Sequence, residues 1–145
     1  NRSVEDEKEV SMQALFMKIT HLYFCKGFQI LQKTDIHPRQ VPLIWQLNKQ
    51  EGLSQNELSK RLGIKPPTVA VSIKRLERVG IVEKQMDEKD QRKSLIYLTD
   101  KGRSLCSDIK SSLEKGEAML FQNFSETELC LLRRFFMQMI ENMEK

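Results

Sequence analysis

The stretch LSQNELSKRLGIKPPTVAVSIKRLERVGIVEKQMDEKDQRKSLIYLT, from Leu53 to Thr99, decides how this chain folds. Ser54 stands three residues before Glu57, which makes a capping box. The hydroxyl accepts from the Glu57 amide, and the carboxylate reaches back to the Ser54 amide. Such a cap contributes ~1 kcal/mol, enough to fix where a short helix begins. Leu58 and Leu62 then share one face. Gly63 supplies the left-handed backbone that ends this helix. Proline is tolerated only in the first turn of a helix, where amides lack intrahelical partners. Pro66 and Pro67 therefore open a second helix that ends near Gly80. Val69, Ile73 and Leu76 recur at helical spacing and face the core. Pro67, Thr68, Val71, Ser72, Lys74 and Arg75 are left to face outward or to flank that stripe.

Two strands follow. Ile81 to Gln85 and Ser94 to Leu98 are rich in residues that suit a sheet. Met86 to Lys93, between them, is almost wholly polar and holds no Gly, as expected of a solvated hairpin. Helix, turn, helix, strand, charged loop, strand is the order of a winged helix-turn-helix. That module most often places its second helix in the DNA major groove.

These residues also resemble a family. Asp90-Gln91-Arg92 and the Leu98-Thr99-Asp100-Lys101-Gly102 that follows are similar to the Asp-x-Arg…Leu-Thr-x-x-Gly wing signature of the multiple-antibiotic-resistance regulator (MarR) family. Leu76-Glu77-Arg78-Val79-Gly80-Ile81-Val82 resembles that family's Leu-Glu-x-x-Gly-Leu/Ile-Ile/Val segment. The resemblance runs from about Met12 to the C-terminus, but only Ser54 to Gly102 carries specific motifs. It implies a triangular homodimer that binds DNA, most commonly as a repressor. In the family, the residues matching Asp90 and Arg92 brace and insert the wing. Family members often bind small aromatic or anionic molecules between the dimerisation helices and the DNA lobe. This sequence departs from the common pattern at Pro67, where relatives often carry a hydroxyl residue. It departs again at Ala70 and Val71, where they often carry polar or basic ones.

Charge supports the same lobe. The net charge is +4. Ser54 to Lys93 holds ten Lys or Arg against six acids, so the whole excess lies there. At 145 residues the chain is one domain or one elongated subunit. No apolar run approaches the ~20 residues of a membrane span, and no charged-then-apolar leader precedes the first helix. Cys25, Cys106 and Cys130 are odd in number and widely spaced, which fits reduced thiols in a cytoplasmic protein. His21 and His37 with scattered carboxylates form no convincing metal site, and neither a cofactor nor a catalytic triad is expected.

Along the chain, Asn1 to Glu9 is polar and reads as frayed. A first long helix is expected from about Val10 to Lys33. Leu15, Ile19, Leu22, Lys26 and Ile30 form one stripe of it, and Phe24, Phe28 and Leu31 a second. A helix apolar on two sides needs two neighbours. Ile36-His37-Pro38 breaks the pattern before a helix with Val41, Ile44, Trp45 and Leu47 at core spacing, which Pro42 obliges either to start late or to kink. After the wing, Thr99 or Asp100 caps a helix with Leu105, Ile109 and Leu113 on its buried face and a bend at Gly116. Ser125 with Glu128 is a second capping box. The last helix carries Leu129, Leu132, Phe136, Met139, Ile140 and Met143 on one face. The expected class is thus mainly α with a small β-wing. A winged helix-turn-helix lobe at 36–99 is flanked by dimerisation helices at 10–34 and 100–145 of a single subunit spanning 1–145.

The expected DNA contacts divide by element. Ser54 and Gln55 open the supporting helix, whose positive end can meet the phosphate backbone. Lys65, Pro67, Thr68, Val71, Ser72, Lys74 and Arg75 belong to the recognition helix and the turn before it. Lys89, Asp90, Arg92 and Lys93 belong to the wing. A guanidinium at the wing tip suits a narrow minor groove, and Asp90 can hold it in a forked ion pair. Apolar groups at Pro67, Ala70 and Val71 can touch thymine methyls but make no bidentate contacts. His21, Phe24, Phe28 and Trp45 are candidates to line a ligand pocket, with core packing as the plainer role. The rival to a DNA-binding regulator is a winged-helix module that binds protein, because fold alone does not give function.

Overall fold

A computed structural model of the chain describes residues 10–145; the frayed segment expected at Asn1 to Glu9 lies outside them. Helix α1 spans Met12–Gly27 behind the Ser11 cap. It stops short of the expected Lys33, and the chain tightens into a 3-10 helix, Gln29–Lys33. Two contacts account for the change. Gly27 is buried, and a Cβ there would lie 2.7 Å from Leu113 Cδ2, so α1 crosses the later helix that carries Leu113 at close range. The tighter turns that follow bring Leu31 into the core at 3% exposure.

The His37–Gln40 break is itself a capped 3-10 turn, Pro38–Gln40. His37 Nδ1 accepts from the Arg39 amide at 3.1 Å, and Gln40 Oε1 accepts from the His37 amide at 3.1 Å. Helix α2 (Val41–Lys49) then begins so late that Pro42 falls within its first turn, where the missing amide costs nothing. Its buried residues are Val41, Leu43, Ile44 and Leu47, with Trp45 only half-buried at its edge.

The lobe forms as its caps dictate. Helix α3 (Gln55–Leu62) carries the Ser54–Glu57 box and ends at Gly63 with φ 64°. Helix α4 (Pro66–Arg78) buries Val69, Ile73 and Leu76. Strands β1 (Val82–Met86) and β2 (Ser94–Leu98) pair antiparallel, with Val82 opposite Leu98 and Met86 opposite Ser94. The first strand starts one residue later than expected, because the Ile81 amide donates to Leu76 O and closes the turn after α4. Leu53 adds a bridge on the other edge of β2 through Gly52 N to Ile96 O and Ile96 N to Leu53 O.

Helix α5 (Asp100–Leu120) begins where wing and lobe meet. The Thr99 hydroxyl donates to Gly80 O at 2.6 Å and accepts from the Gly102 amide at 3.1 Å. A Cβ on Gly102 would overlap the Ile81 carbonyl oxygen. That close approach is the physical content of the Leu-Thr-x-x-Gly motif. Arg103 completes the joint by donating to Glu51 and to Leu98 O, each at 3.0 Å, and to Asp100. Gly116 breaks nothing. The helix runs through it to Leu120, and Tyr23 of α1 packs there, 3.6 Å from where a Cβ would stand.

Helix α6 (Glu126–Met143) starts at the Ser125–Glu128 capping box, and none of its residues is buried. The two glycines of α5 therefore respond oppositely to alanine. Gly102→Ala is expected to destabilise by ~1–3 kcal/mol through overpacking against rigid backbone. Gly116→Ala gains up to ~1 kcal/mol of helix propensity, because its added methyl meets Tyr23 at ordinary contact distance. Thermal denaturation of the two variants checks the contrast.

Candidate nucleic-acid interface

Helix α4 presents one face to the core and the other to solvent. Lys65, Pro67, Thr68, Val71, Lys74 and Arg75 are exposed, while Ala70 and Ser72 are half-buried along its edge. The helix lies on α3, whose Ser54 oxygen accepts from Glu57 N at 3.1 Å. Ser54 thus has a capping role, and Gln55 beside it is half-buried.

The wing loop is shaped by its aspartates. Asp87 Oδ1 accepts from the Lys89 amide at 3.0 Å, and Asp90 Oδ1 accepts from the Arg92 amide at 3.0 Å. The expected forked ion pair between Asp90 and Arg92 is not formed. Arg92 Nε stands 3.7 Å from Asp90 Oδ1, and the Arg92 side chain is 96% exposed. With that carboxylate oxygen already bonded to a backbone amide, the guanidinium projects into solvent from a turn that the same aspartate folds. Lys89 and Lys93 are exposed beside it.

Sequence reasoning missed the side wall of this surface. A groove of about 680 Å³ runs between the His37–Gln40 turn and α4, lined among others by Arg39, Ile64, Pro67, Val71 and Arg75. Nothing local in the sequence joins Arg39 to α4, from which it is separated by two entire helices. Its one signal was a base directly after the His37-Pro38 break.

His21, Phe24, Phe28 and Trp45 do come together. With Arg39, Lys49 and others they line a second cavity of about 840 Å³ between α1, the Pro38–Gln40 turn and α2. Phe24 and Phe28 stack with ring centroids 5.7 Å apart and planes at 7°. Among the described residues no carboxylate lines it, whereas His21, His37, Arg39 and Lys49 do. The volume lies within the ~300–1,000 Å³ of small-molecule sites.

A family model described as the MarR family matches residues 34–93, from the end of the first helical segment to the wing. The chain is similar to the HTH-type transcriptional repressor MdtR of Bacillus subtilis, at 30% identity over 94 residues, 65% of this chain and 58% of that protein. It is similar to the HTH-type transcriptional regulator BilQ of Clostridioides difficile, at 32% over 82 residues, 57% of this chain and 55% of that one. Over its central lobe, residues 34–93, the chain is thus similar to the MarR family. The matches span a little over half the length of these two curated MarR-family relatives. Among solved structures, a mutant of S. aureus MepR superposes with TM-score 0.79 at 28% identity, covering 92% of this chain and 99% of that one. Another MepR mutant, bound to an oligodeoxyribonucleotide, superposes at 0.71 with 29% identity over 93% and 99%. A MarR-family protein from Bacillus stearothermophilus shares the fold at 0.74 and 22% identity, over 99% of this chain and 100% of that one.

The three thiols of this chain differ sharply. Cys25 and Cys130 are exposed, and Cys25 Sγ lies 3.6 Å from His21 Nε2 at the cavity wall. Burial pushes the Cys106 thiol up to about 11. In mildly alkaline buffer Cys106 is therefore expected to resist iodoacetamide in the native protein and to react only after denaturation, while Cys25 reacts in both states. Mass spectrometry of the alkylated peptides reads this directly.

Proposed function

We propose that this chain is a homodimeric, sequence-specific transcriptional regulator acting in the cytoplasm, without enzymatic activity. It binds a pseudo-palindromic operator in double-stranded DNA, most simply as a repressor. The observation that carries the reading is coincidence of place: the MarR-family match falls on the lobe that displays the exposed basic face of α4 and the outstretched Arg92. Helix α4 enters the major groove through Thr68, Val71, Ser72 and its neighbours, with Lys74 and Arg75 toward phosphates. Lys65 and the start of α3, at Ser54 and Gln55, meet the backbone. Arg92 enters the adjacent minor groove, and Lys89 and Lys93 hold flanking phosphates, while Asp90 keeps the turn.

Dimerisation uses the terminal helices. Leu15, Phe16, Ile19 and Leu22 on α1, with Leu131, Phe135, Met139 and Ile140 on α6, are each 43% exposed or more in the single chain. Apolar area of that extent on both terminal helices is what a partner subunit covers. The cavity between α1 and α2 takes a small aromatic or anionic inducer: stacked Phe24 and Phe28, with Trp45, offer ring faces, and Arg39 and Lys49 offer charge. An inducer that binds better to a dimer with wrongly spaced lobes lowers operator affinity by that difference.

Selection from a randomised duplex pool at two salt concentrations, read by anisotropy and sequencing, tests the reading. Enrichment of an inverted repeat with steep salt dependence is the expected result, and failure to bind any duplex at low salt overturns it. Arg92→Ala is expected to lose about 1–2 kcal/mol of operator affinity and about one unit of salt slope. Its melting point stays unchanged, because the Arg92 side chain touches almost nothing. Phe135→Glu is expected to halve the mass measured by light scattering while the lobe stays folded, since α6 buries none of its residues within one subunit.

A further inference from the structure

The groove beside α4 can be read for the bases it selects; the inference rests on the DNA-binding reading above and deepens it. The N-terminal residues of a recognition helix are the ones that reach base edges. Here that turn is chemically unusual. Pro66 and Pro67 lack amides, Ala70 and Ser72 are half-buried, and Thr68 is the exposed hydroxyl residue of this turn. Lys74 and Arg75 come one turn later. Val71 is 52% exposed one helical turn from Pro67, and the two line the groove together with Thr68. Ile64, 39% exposed, extends this apolar patch across the α3–α4 turn. Arg39 and Arg75 line the same groove, and among the described residues no carboxylate does.

An apolar strip with guanidiniums beside it fits an edge that is apolar in one spot and anionic around it. The thymine 5-methyl group is the apolar feature of the major-groove edge, and apolar side chains are its usual partners. We propose that this groove reads thymine methyls, with Val71 as the specificity-determining residue and Pro67 and the Thr68 methyl beside it. Specificity then comes from shape and methyl contact, with Arg39 and Arg75 holding the flanking phosphates.

Deoxyuridine pairs as thymidine does and lacks only the methyl. In the operator recovered by selection, each thymidine is replaced singly by deoxyuridine, and binding is measured by anisotropy at one salt concentration. Wild type is expected to lose about 4-fold at one or two thymidines in each half-site, which is the ~0.8 kcal/mol of one buried CH₂ group converted at 1.4 kcal/mol per tenfold. At those positions Val71→Ala is expected to bind the thymidine and deoxyuridine duplexes equally, and Val71→Ile to keep the discrimination. Alanine is the better helix former, so α4 survives the change. Equal binding of both duplexes by wild type at every position overturns the inference, as does discrimination that persists in Val71→Ala. Either result leaves DNA binding itself standing. Failure to bind any duplex overturns the DNA-binding reading and this inference with it.

Discussion

The first turn of α5 rests on the Ile81 carbonyl, and it can do so only because residue 102 has no Cβ. That contact sets how the long helix leaves the lobe. Thr99 fastens it from one side, through Gly80 O and the Gly102 amide. Lys101 Nζ donates to Val79 O at 2.7 Å, and Arg103 joins Asp100, Leu98 O and Glu51. The end of α4, the root of the wing and the start of α5 therefore meet in one knot of backbone carbonyls. A small change of angle between α5 and the lobe moves α4 and the wing together. Rigid coupling of this kind lets an event at the helices alter what the lobe can reach.

The polar joint contrasts with the interfaces on either side of it. Inside the lobe, α2, α3, α4 and β2 close on Ile44, Leu47, Leu53, Leu58, Ile73 and Ile96, each at 0% exposure. On α1 and α6 the apolar residues remain open. The same hydrophobic effect acts in both places, at about 25 cal/mol per Å². It is satisfied in the lobe and left outstanding on the terminal helices. The 840 Å³ cavity lies at that boundary, where α1 bridges the closed core and the open surface. Arg39 and His37 line both this cavity and the groove beside α4, so the two spaces share one wall.

Much of this was legible in the sequence, for local reasons. Caps and breakers act within a few residues of themselves. Ser54 with Glu57, Gly63, Pro66 with Pro67, and Ser125 with Glu128 therefore marked helix ends that the structure reproduces. The polar run from Met86 to Lys93 marked a solvated wing for the same reason: nothing in it could be buried. The motif around Gly102 could be recognised as a pattern, but its cause is a contact with Ile81, outside the motif.

What the tertiary structure alone decided involves residues far apart in sequence. Gly27 is the place where α1 crosses α5 at close range, and Gly116 is a packing site because Tyr23 lies against it. Arg39 joins the surface of α4 only when α2 and α4 have packed on one core. Asp90 folds the wing turn through a backbone amide and leaves Arg92 extended, a choice between two acceptable bonds that residue spacing does not make. The sequence by itself determined which main segments are helix or strand and where the capped helices begin, because capping, proline and periodicity are local energies. The tertiary structure decided which faces meet, because packing depends on volumes brought together from distant parts of the chain.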